Sequence, residues 1–354
     1  MAEFEDLNMS EKEFNNLIEQ SNKIYLENQT KEVHFGKCIF LSYYCSLNDC
    51  DFCYRSITSD KSSNPQKMRR GIPSMLTEAI LTKVFGWEVE FLTGGYGIFS
   101  YDEMAKILKF VSIIMEKPIW INLGAMGKVQ LEKFKPYVEG IVCSLESIDD
   151  ELRKKVCPSK PLSAYEKMYR TVDEIGGIQK SMTMVIGIGE NPSHLQQMFE
   201  FIDKHKLDRI TFYALNPIIG TPYEKGPEHR YYAWWIAQTR IRYPKMHIIA
   251  GTGNNRTDEA ELLYMAGANA VTKFSAVKHF GSKAAKNIEE GAKNAGRIFK
   301  GTMTKVPNID WDNYIDSINF ELDEKEEKEL KEKVKSKLKE YLLRMEKKKI
   351  PILA

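Results

Sequence analysis

Short apolar segments recur along the chain at near-regular intervals, and most of the intervals carry the residue spacing of a helix. Eight apolar segments have the length and residue types of buried β-strands. They are residues 38–44, 88–93, 118–123, 140–145, 180–186, 209–214, 246–250 and 268–273. Helical spacing is found at residues 74–85, 101–115, 128–137, 163–175, 193–205, 231–243 and 258–265. This alternation predicts an α/β fold built on a parallel sheet.

Alternating strands and helices either close into a barrel or stay open as a doubly wound sheet. Eight units across about 240 residues fit a (β/α)8 barrel of the TIM type. The doubly wound alternative has less support, because no Gly-x-Gly-x-x-Gly motif follows the first predicted strand. We therefore expect a barrel whose core spans about residues 36–285.

Helical segments precede and follow this core. Residues 8–30 carry helical spacing, and Ser10 with Glu13 has the spacing of a capping box. The C-terminal extension, residues 286–354, contains a charged run at residues 321–349 with apolar residues at helical spacing. We interpret that run as a surface helix packed on the barrel rather than a partner-binding helix. One domain, residues 1–354, is the simplest organisation.

Composition and charge narrow the class of protein. Hydrophobic residues make up 43% of the chain and charged residues 28%, which is typical of a globular protein. The net charge of +2 favours neither nucleic acid nor an acidic membrane as a partner. The chain starts with acidic residues rather than a signal peptide, and its six cysteines do not form a disulfide scaffold. We expect a cytoplasmic protein.

Three cysteines lie close together just after the first predicted strand. Four residues separate Cys45 from Cys50, and two separate Cys50 from Cys53. Such thiolates at the end of a buried strand are typical of an iron–sulfur cluster or a zinc ion. Both normally take four ligands, yet no further Cys or His follows at ligand spacing. A [4Fe–4S] cluster held by three thiolates would leave one iron open to a small molecule.

Polar and glycine-rich sequences follow several other predicted strands, where a barrel places its active site. They include Gly94, Gly95 and Tyr96 after the second strand, Ser144 and Glu146 at the end of the fourth, and Gly187 and Ile188 after the fifth.

These features together resemble the radical S-adenosylmethionine (SAM) superfamily, in the branch of biotin synthase, the tyrosine lyases and the hydrogenase maturases. The resemblance covers about residues 20–285. Its motifs are the cysteine cluster with Phe52 before the last thiol, Leu123-Gly124, Glu146, and residues 186–190, 220–222 and 265–269. The family uses a [4Fe–4S] cluster and SAM to make a 5′-deoxyadenosyl radical, which abstracts hydrogen from a substrate. The resemblance also implies a small-molecule substrate and an electron donor of the ferredoxin or flavodoxin type.

The same resemblance implies roles for individual residues. Cys45, Cys50 and Cys53 would hold the cluster. The residues near SAM would be Gly94, Gly95, Tyr96 and Lys167 at its methionine part, Ser144 and Glu146 on its ribose side, and Phe52, Gly187 and Ile188 at its adenine.

Some departures from the family pattern bear on the chemistry. Relatives have three residues between the first two cysteines and this chain has four, so the cluster loop must bulge. Sulfur-inserting relatives carry barrel-lining cysteines, but this chain has Leu92, Trp120 and Ser181 at those positions, which argues against sulfur insertion. The expanded spacing resembles the methanogen enzymes associated with the iron-guanylylpyridinol cofactor of [Fe]-hydrogenase.

Two alternatives stay open from the sequence. One is an Fe–S or zinc scaffold for cofactor assembly without SAM chemistry, in which a zinc site would be completed by Cys38 or His34. The other is a radical SAM enzyme of the tyrosine lyase or [FeFe]-hydrogenase maturase type. The remaining cysteines, Cys38, Cys143 and Cys157, are interpreted as buried apolar residues. Near the last strands Arg256, Lys273 and His279 are within reach of a substrate but have no assigned role.

Overall fold

Eight parallel strands close into a barrel. The computed structural model describes residues 2–58, 64–94 and 98–346. The strands are β1 (Glu32–Phe40), β2 (Glu88–Thr93), β3 (Ile119–Asn122), β4 (Val138–Glu146), β5 (Gln179–Ile186), β6 (Arg209–Ala214), β7 (His247–Gly251) and β8 (Ala270–Thr272). Each pairs in parallel with the next, and β1 pairs with both β2 and β8. The predicted TIM-type (β/α)8 fold is confirmed.

Helices cover the outside of this barrel. The helices between the strands are α2 (Tyr54–Thr58), α3 (Ile72–Val84), α4 (Tyr101–Met115), α5 (Lys128–Phe134), α6 (Asp150–Val156), α7 (Leu162–Ile175), α8 (His194–His205), α9 (His229–Arg242) and α10 (Ala260–Met265). The eighth strand is followed by α11 (Lys283–Asn294). Because α11 completes the last β/α unit, the barrel extends beyond the predicted limit at residue 285.

The two terminal helices form as the sequence predicts. The N-terminal helix, α1 (Glu11–Asn28), begins at a capping box in which Ser10 and Glu13 bond to each other's backbone. Two helices follow the barrel, Trp311–Ser317 and Glu324–Glu346. The longer one buries Val334, Leu338 and Met345 and packs on α3, so it is a surface helix on the barrel. Its predicted last residues, 347–349, lie outside the described part of the chain.

The first strand was predicted wrongly at both ends. It begins at Glu32 rather than residue 38. The apolar pattern did not show this start, because polar His34 points into the barrel while Val33 and Phe35 pack against the helices. It ends at Phe40, and the apolar residues that follow pair elsewhere. The Leu41 amide donates to the Thr93 carbonyl at 2.7 Å, and the chain then bonds to the loop around residue 68.

A ninth strand, which the sequence did not suggest, lies outside the barrel. It is β9 (Ile298–Phe299), and it pairs in parallel with the first two residues of β1. Two residues are too few to produce a hydrophobic pattern, so no sequence signal marks this strand.

A bulge in β2 changes which residues line the barrel. Lys37 faces Val89 and Cys38 faces Phe91, so Glu90 is the additional residue. Phe91 therefore packs inside the barrel with Cys38 and Trp120, whereas Leu92 packs outside with the helices. The expectation that Leu92 lines the barrel is wrong, because the additional residue Glu90 shifts the inward and outward alternation of the β2 side chains before Leu92.

Candidate active site

A cavity of about 390 Å³ lies at the end of the barrel where the strands finish, which is the catalytic end of this fold. Seven of the residues to which the resemblance gives a role in binding the cluster or SAM line it, namely Cys45, Cys50, Phe52, Cys53, Gly94, Ser144 and Glu146. Gly95 and Tyr96 lie outside the described residues. The structure thus brings the cysteine loop and the ends of β2 and β4 to one site.

The cysteine loop is fastened to the chain around α6. The Asp51 amide donates to the Val156 carbonyl at 2.9 Å, and the Tyr223 hydroxyl donates to the Asp51 carboxylate at 2.9 Å. The Cys53 amide donates to the Cys50 carbonyl at 3.0 Å and closes a turn between these two thiols. Asn48, within the expanded interval, has a left-handed φ of 52°, a conformation that Asn tolerates better than most residues.

Three cysteine thiols are a donor set that suits an iron–sulfur cluster. All three cysteines are partly exposed in the cavity. Within residues 2–58, 64–94 and 98–346, no three His, Cys, Asp or Glu side chains converge on one metal position. A cluster distributes its thiolates over different irons, so it does not need such convergence.

The residues that were to complete a zinc site are engaged elsewhere. The Cys38 thiol lies inside the barrel and donates to the Glu90 carboxylate at 2.8 Å. His34 is stacked on His247 with ring centroids 5.4 Å apart, near the start of the strands. The structure therefore gives no support to the zinc site.

Burial raises the pKa of Cys50 to about 12, so this thiol is protonated until a metal displaces its proton.

Glu146 sits at the end of β4 in a strained backbone conformation with a φ of 64°. Its carboxylate accepts from Lys160 Nζ at 2.9 Å and from Thr183 Oγ1 at 3.1 Å. Burial alone would lower the pKa of Lys160, but the charge of Glu146 reverses this effect and raises the pKa well above its usual value. The cavity wall therefore contains a fixed ion pair.

Backbone groups form the adjacent wall. Gly94 has a φ of 147°, and a Cβ there would lie 2.9 Å from the backbone nitrogens of both Leu41 and Ser42. Only glycine fits this position, and its backbone faces the cavity. Nearby, the Ser144 hydroxyl donates to the Asn122 side chain at 2.9 Å, which orients both polar groups.

The turn after β5 lies behind the cavity wall. The Glu190 carboxylate accepts from the amides of Gly187 at 2.8 Å and Ile188 at 3.0 Å, which fixes the turn. Ile188 packs in an apolar cluster that Phe52 also contacts. Neither Gly187 nor Ile188 lines the cavity itself, so the structure brings this turn only as far as the layer beneath Phe52.

Lys167 does not reach the site. It is exposed on the outer side of α7, whereas Lys160, in the loop before that helix, lines the cavity. The family resemblance placed Lys167 near SAM, because the sequence does not show how the loop between α6 and α7 brings Lys160 to Glu146 instead.

Below the cavity, a buried polar cluster escaped sequence reasoning. The Glu90 carboxylate accepts from the Tyr213 hydroxyl at 2.8 Å, from Cys38, and from the Thr272 hydroxyl. Arg209 donates to the Glu90 carbonyl at 3.0 Å and stacks 3.6 Å above the Trp120 ring. A carboxylate, Glu90, within an otherwise apolar strand was the sequence feature that could have indicated this cluster.

Cys143 lies outside the barrel wall in the apolar core.

Two family models match this chain over consecutive segments. The family model "Radical SAM superfamily" matches residues 39–202, and the model "Biotin and Thiamin Synthesis associated domain" matches residues 211–313. The uncharacterized protein MJ0597 of Methanocaldococcus jannaschii is 32% identical over 327 residues, which is 88% of either chain. MJ0785 of the same organism, also uncharacterized, is 24% identical over 300 residues, covering 80% of this chain and 77% of that protein.

Two solved structures share the fold. Methylornithine synthase (PylB) has a TM-score of 0.65 at 21% identity, covering 75% of this chain and 79% of its own. The FeFe-hydrogenase maturase HydG from Carboxydothermus hydrogenoformans has a TM-score of 0.69 at 16% identity, covering 94% and 83%. The chain belongs to the radical SAM superfamily, whose cofactors are a [4Fe–4S] cluster and SAM. Over the described residues, no helix is both long enough and apolar enough to cross a membrane.

Proposed function

We propose that this radical SAM enzyme holds its cluster through Cys45, Cys50 and Cys53 and abstracts hydrogen from a small biosynthetic substrate. The observation that carries the proposal is that these thiols share one cavity with the Glu146–Lys160 ion pair at the catalytic end of the barrel. When bound, the reduced cluster supplies the electron that cleaves SAM to methionine and a 5′-deoxyadenosyl radical.

The side chains of the cavity bind and orient SAM. The backbone at Gly94 lies open to the cavity and suits the methionine amine, because no side chain blocks its approach. Glu146 accepts hydrogen bonds from the ribose hydroxyls, and Lys160, which donates to its carboxylate at 2.9 Å, holds that group in the cavity wall. Phe52, supported by the cluster around Ile188, covers the adenine.

For the pathway, we propose a role in assembly of the [Fe]-hydrogenase guanylylpyridinol cofactor. Two observations support it. Phe91, Trp120 and Ser181 occupy the barrel interior where a sulfur donor would need thiols, which disfavours sulfur insertion. Both relatives named above come from Methanocaldococcus, whose genus name is that of a methanogen. A tyrosine lyase or hydrogenase-maturase type of reaction is the second candidate, supported by the fold shared with HydG.

The following experiment distinguishes a catalytic radical SAM enzyme from a non-catalytic scaffold. Protein reconstituted anaerobically with iron and sulfide, then reduced in the presence of SAM, is expected to form 5′-deoxyadenosine. Cys50→Ala should form none, whereas Cys143→Ala, which removes a buried thiol outside the barrel, should retain the activity. A wild-type protein that binds iron but forms no 5′-deoxyadenosine would instead be a non-catalytic scaffold.

The electron donor is proposed to be a ferredoxin or flavodoxin in the cytoplasm. The experiment replaces the chemical reductant with a reduced ferredoxin and measures the rate of 5′-deoxyadenosine formation. A rate above that of a donor-free control supports this partner, and no increase with either donor protein contradicts it.

A further inference from the structure

The first and last strands of the barrel are paired over only part of the length of β1. β8 has three residues and pairs only with His34, Phe35 and Gly36 of β1. The upper half of β1, from Lys37 to Phe40, has no β8 residue beside it within the described chain. A second cavity of about 640 Å³ lies beside this half of β1, between the barrel and the C-terminal helix. The active-site cavity therefore has a neighbour on the β1–β8 side.

Lys273 stands between the two cavities. It follows β8 directly, and it lines both of them, as does Phe40. Its ammonium lies 4.6 Å from the ring centroid of Tyr213, 5.4 Å from that of Phe40 and 5.8 Å from that of Phe91. Aromatic faces attract a cation but leave the N–H donors of the ammonium without hydrogen-bond acceptors.

The other cations of the active-site cavity, Lys160 and Arg55, each donate to an acceptor, although the buried Nε of Arg55 has no partner among the described residues. Lys160 pairs with Glu146 at 2.9 Å. The Arg55 guanidinium donates to the Ser42 carbonyl at 2.9 Å and lies against the Tyr54 ring. Lys273 has no ion pair or hydrogen bond with any residue of the described ranges. It is the lysine of this cavity whose charge is left for a ligand.

The backbone of Lys273 has a strained conformation. Its φ is 64°, in the left-handed region that costs a non-glycine residue about 1–2 kcal/mol. Lys206 and Glu116 adopt the same conformation to end helices, a common use of it. Lys273 instead adopts it at the catalytic end of a barrel strand, as Glu146 does, and such outliers cluster at binding sites.

We propose that Lys273 binds a carboxylate of the substrate, and that the substrate is a small carboxylic acid whose apolar part lies against Phe40, Phe91 and Tyr213. The proposal rests on the proposed function, because it places the substrate in the same cavity as SAM. A carboxylate matches the single positive charge of one ammonium. A phosphate monoester carries about −1.5 to −2 charges and would call for a second cation.

The test uses two probes of the same shape that differ in charge. Phenylacetate and phenylacetamide are titrated into the reconstituted protein with SAM bound, and their dissociation constants are measured by calorimetry or ligand-observed NMR. We expect phenylacetate to bind about tenfold more tightly than the amide, as for one charge-assisted hydrogen bond. Lys273→Gln should abolish the difference, and Lys273→Arg, which keeps the charge, should retain part of it.

Lys206→Gln is the matched control, because Lys206 is an exposed lysine of similar φ that lines neither cavity. It should keep the tenfold difference, and melting temperatures verify that each variant is folded. Equal binding of acid and amide would overturn the proposal, as would a preference that survives in Lys273→Gln. Phenyl phosphate binding more tightly than phenylacetate would overturn the assignment to a carboxylate. Formation of 5′-deoxyadenosine by the same wild-type sample tests the proposed function separately.

Discussion

Replacing Glu146 by Gln separates a binding role from a structural one. A carboxylate has about four lone-pair positions, and Lys160 and Thr183 occupy one each. Two positions therefore remain for the ribose hydroxyls of SAM. Losing a charge-assisted hydrogen bond costs about 1.5–3 kcal/mol, which corresponds to a roughly 10- to 150-fold weaker affinity. We expect Glu146→Gln to weaken SAM binding by that factor in calorimetry on reconstituted protein.

The same substitution leaves Lys160 without its counter-charge. Breaking a fully buried pair costs about 3–5 kcal/mol. Here the side chains are 10–12% exposed and adjoin a cavity, so water relieves part of the cost and we expect about 1–3 kcal/mol in urea unfolding. Adding Lys160→Met to Glu146→Gln should restore part of this stability but none of the SAM affinity.

Glu78→Gln provides the matched control, because Glu78 is also a buried carboxylate, paired with Lys37 at 3.2 Å and Arg70 at 3.0 Å, but does not line the active-site cavity. It should lose stability and keep SAM affinity. Unchanged SAM affinity in a folded Glu146→Gln protein would refute the reasoning. So would recovery of SAM affinity in the double variant, since the ligand role would then not belong to the carboxylate.

Replacing any one of Cys45, Cys50 and Cys53 by Ala should reduce iron in the reconstituted protein well below the expected about four atoms per chain; full iron content in one variant would remove that cysteine from the ligand set. Gly94→Ala should cost about 3 kcal/mol or more in urea unfolding, because its Cβ would meet backbone at 2.9 Å in addition to the strain of its φ of 147°. Gly296→Ala, with nothing within 4 Å and a φ of 71°, should cost only about 1–2 kcal/mol; equal costs would contradict the packing argument. Burial lowers the pKa of His34 to about 4, so as the pH falls this histidine is protonated in the unfolded chain before it is protonated in the folded protein. The stability contributed by the neutral ring is therefore complete above about pH 6.5 and declines towards pH 4 by up to about 3 kcal/mol. His34→Gln should show a smaller loss of stability between pH 7.5 and 5 in urea unfolding.

The barrel could be predicted from the sequence because its strands are buried on both faces and stand out as apolar runs. The boundaries that failed are those where this rule is broken. β1 carries His34 on its inner face, and β2 contains the additional residue Glu90, so neither follows a simple pattern. The two residues of β9 are too short for any pattern.

The site was predictable where residue type and strand ends determine it. The cysteine loop, Gly94 and Glu146 reach one cavity because parallel strands of a barrel finish on the same side. Lys160 and Lys273 were not assigned, because their positions depend on how a loop folds back and on a left-handed residue after β8. Positions that depend on the tertiary fold in this way cannot be predicted from the spacing of residues along the chain.

The central claim is that three thiolates hold a cluster whose open iron binds SAM in this cavity. Electron–nuclear double resonance on the reduced protein, with SAM isotopically labelled at its amino nitrogen, tests it most directly. We predict a hyperfine coupling between the cluster and the labelled nitrogen in wild-type protein and in Cys143→Ala, and none in Cys50→Ala. A wild-type cluster that is reduced in the presence of SAM but shows no coupling to the label would contradict the claim.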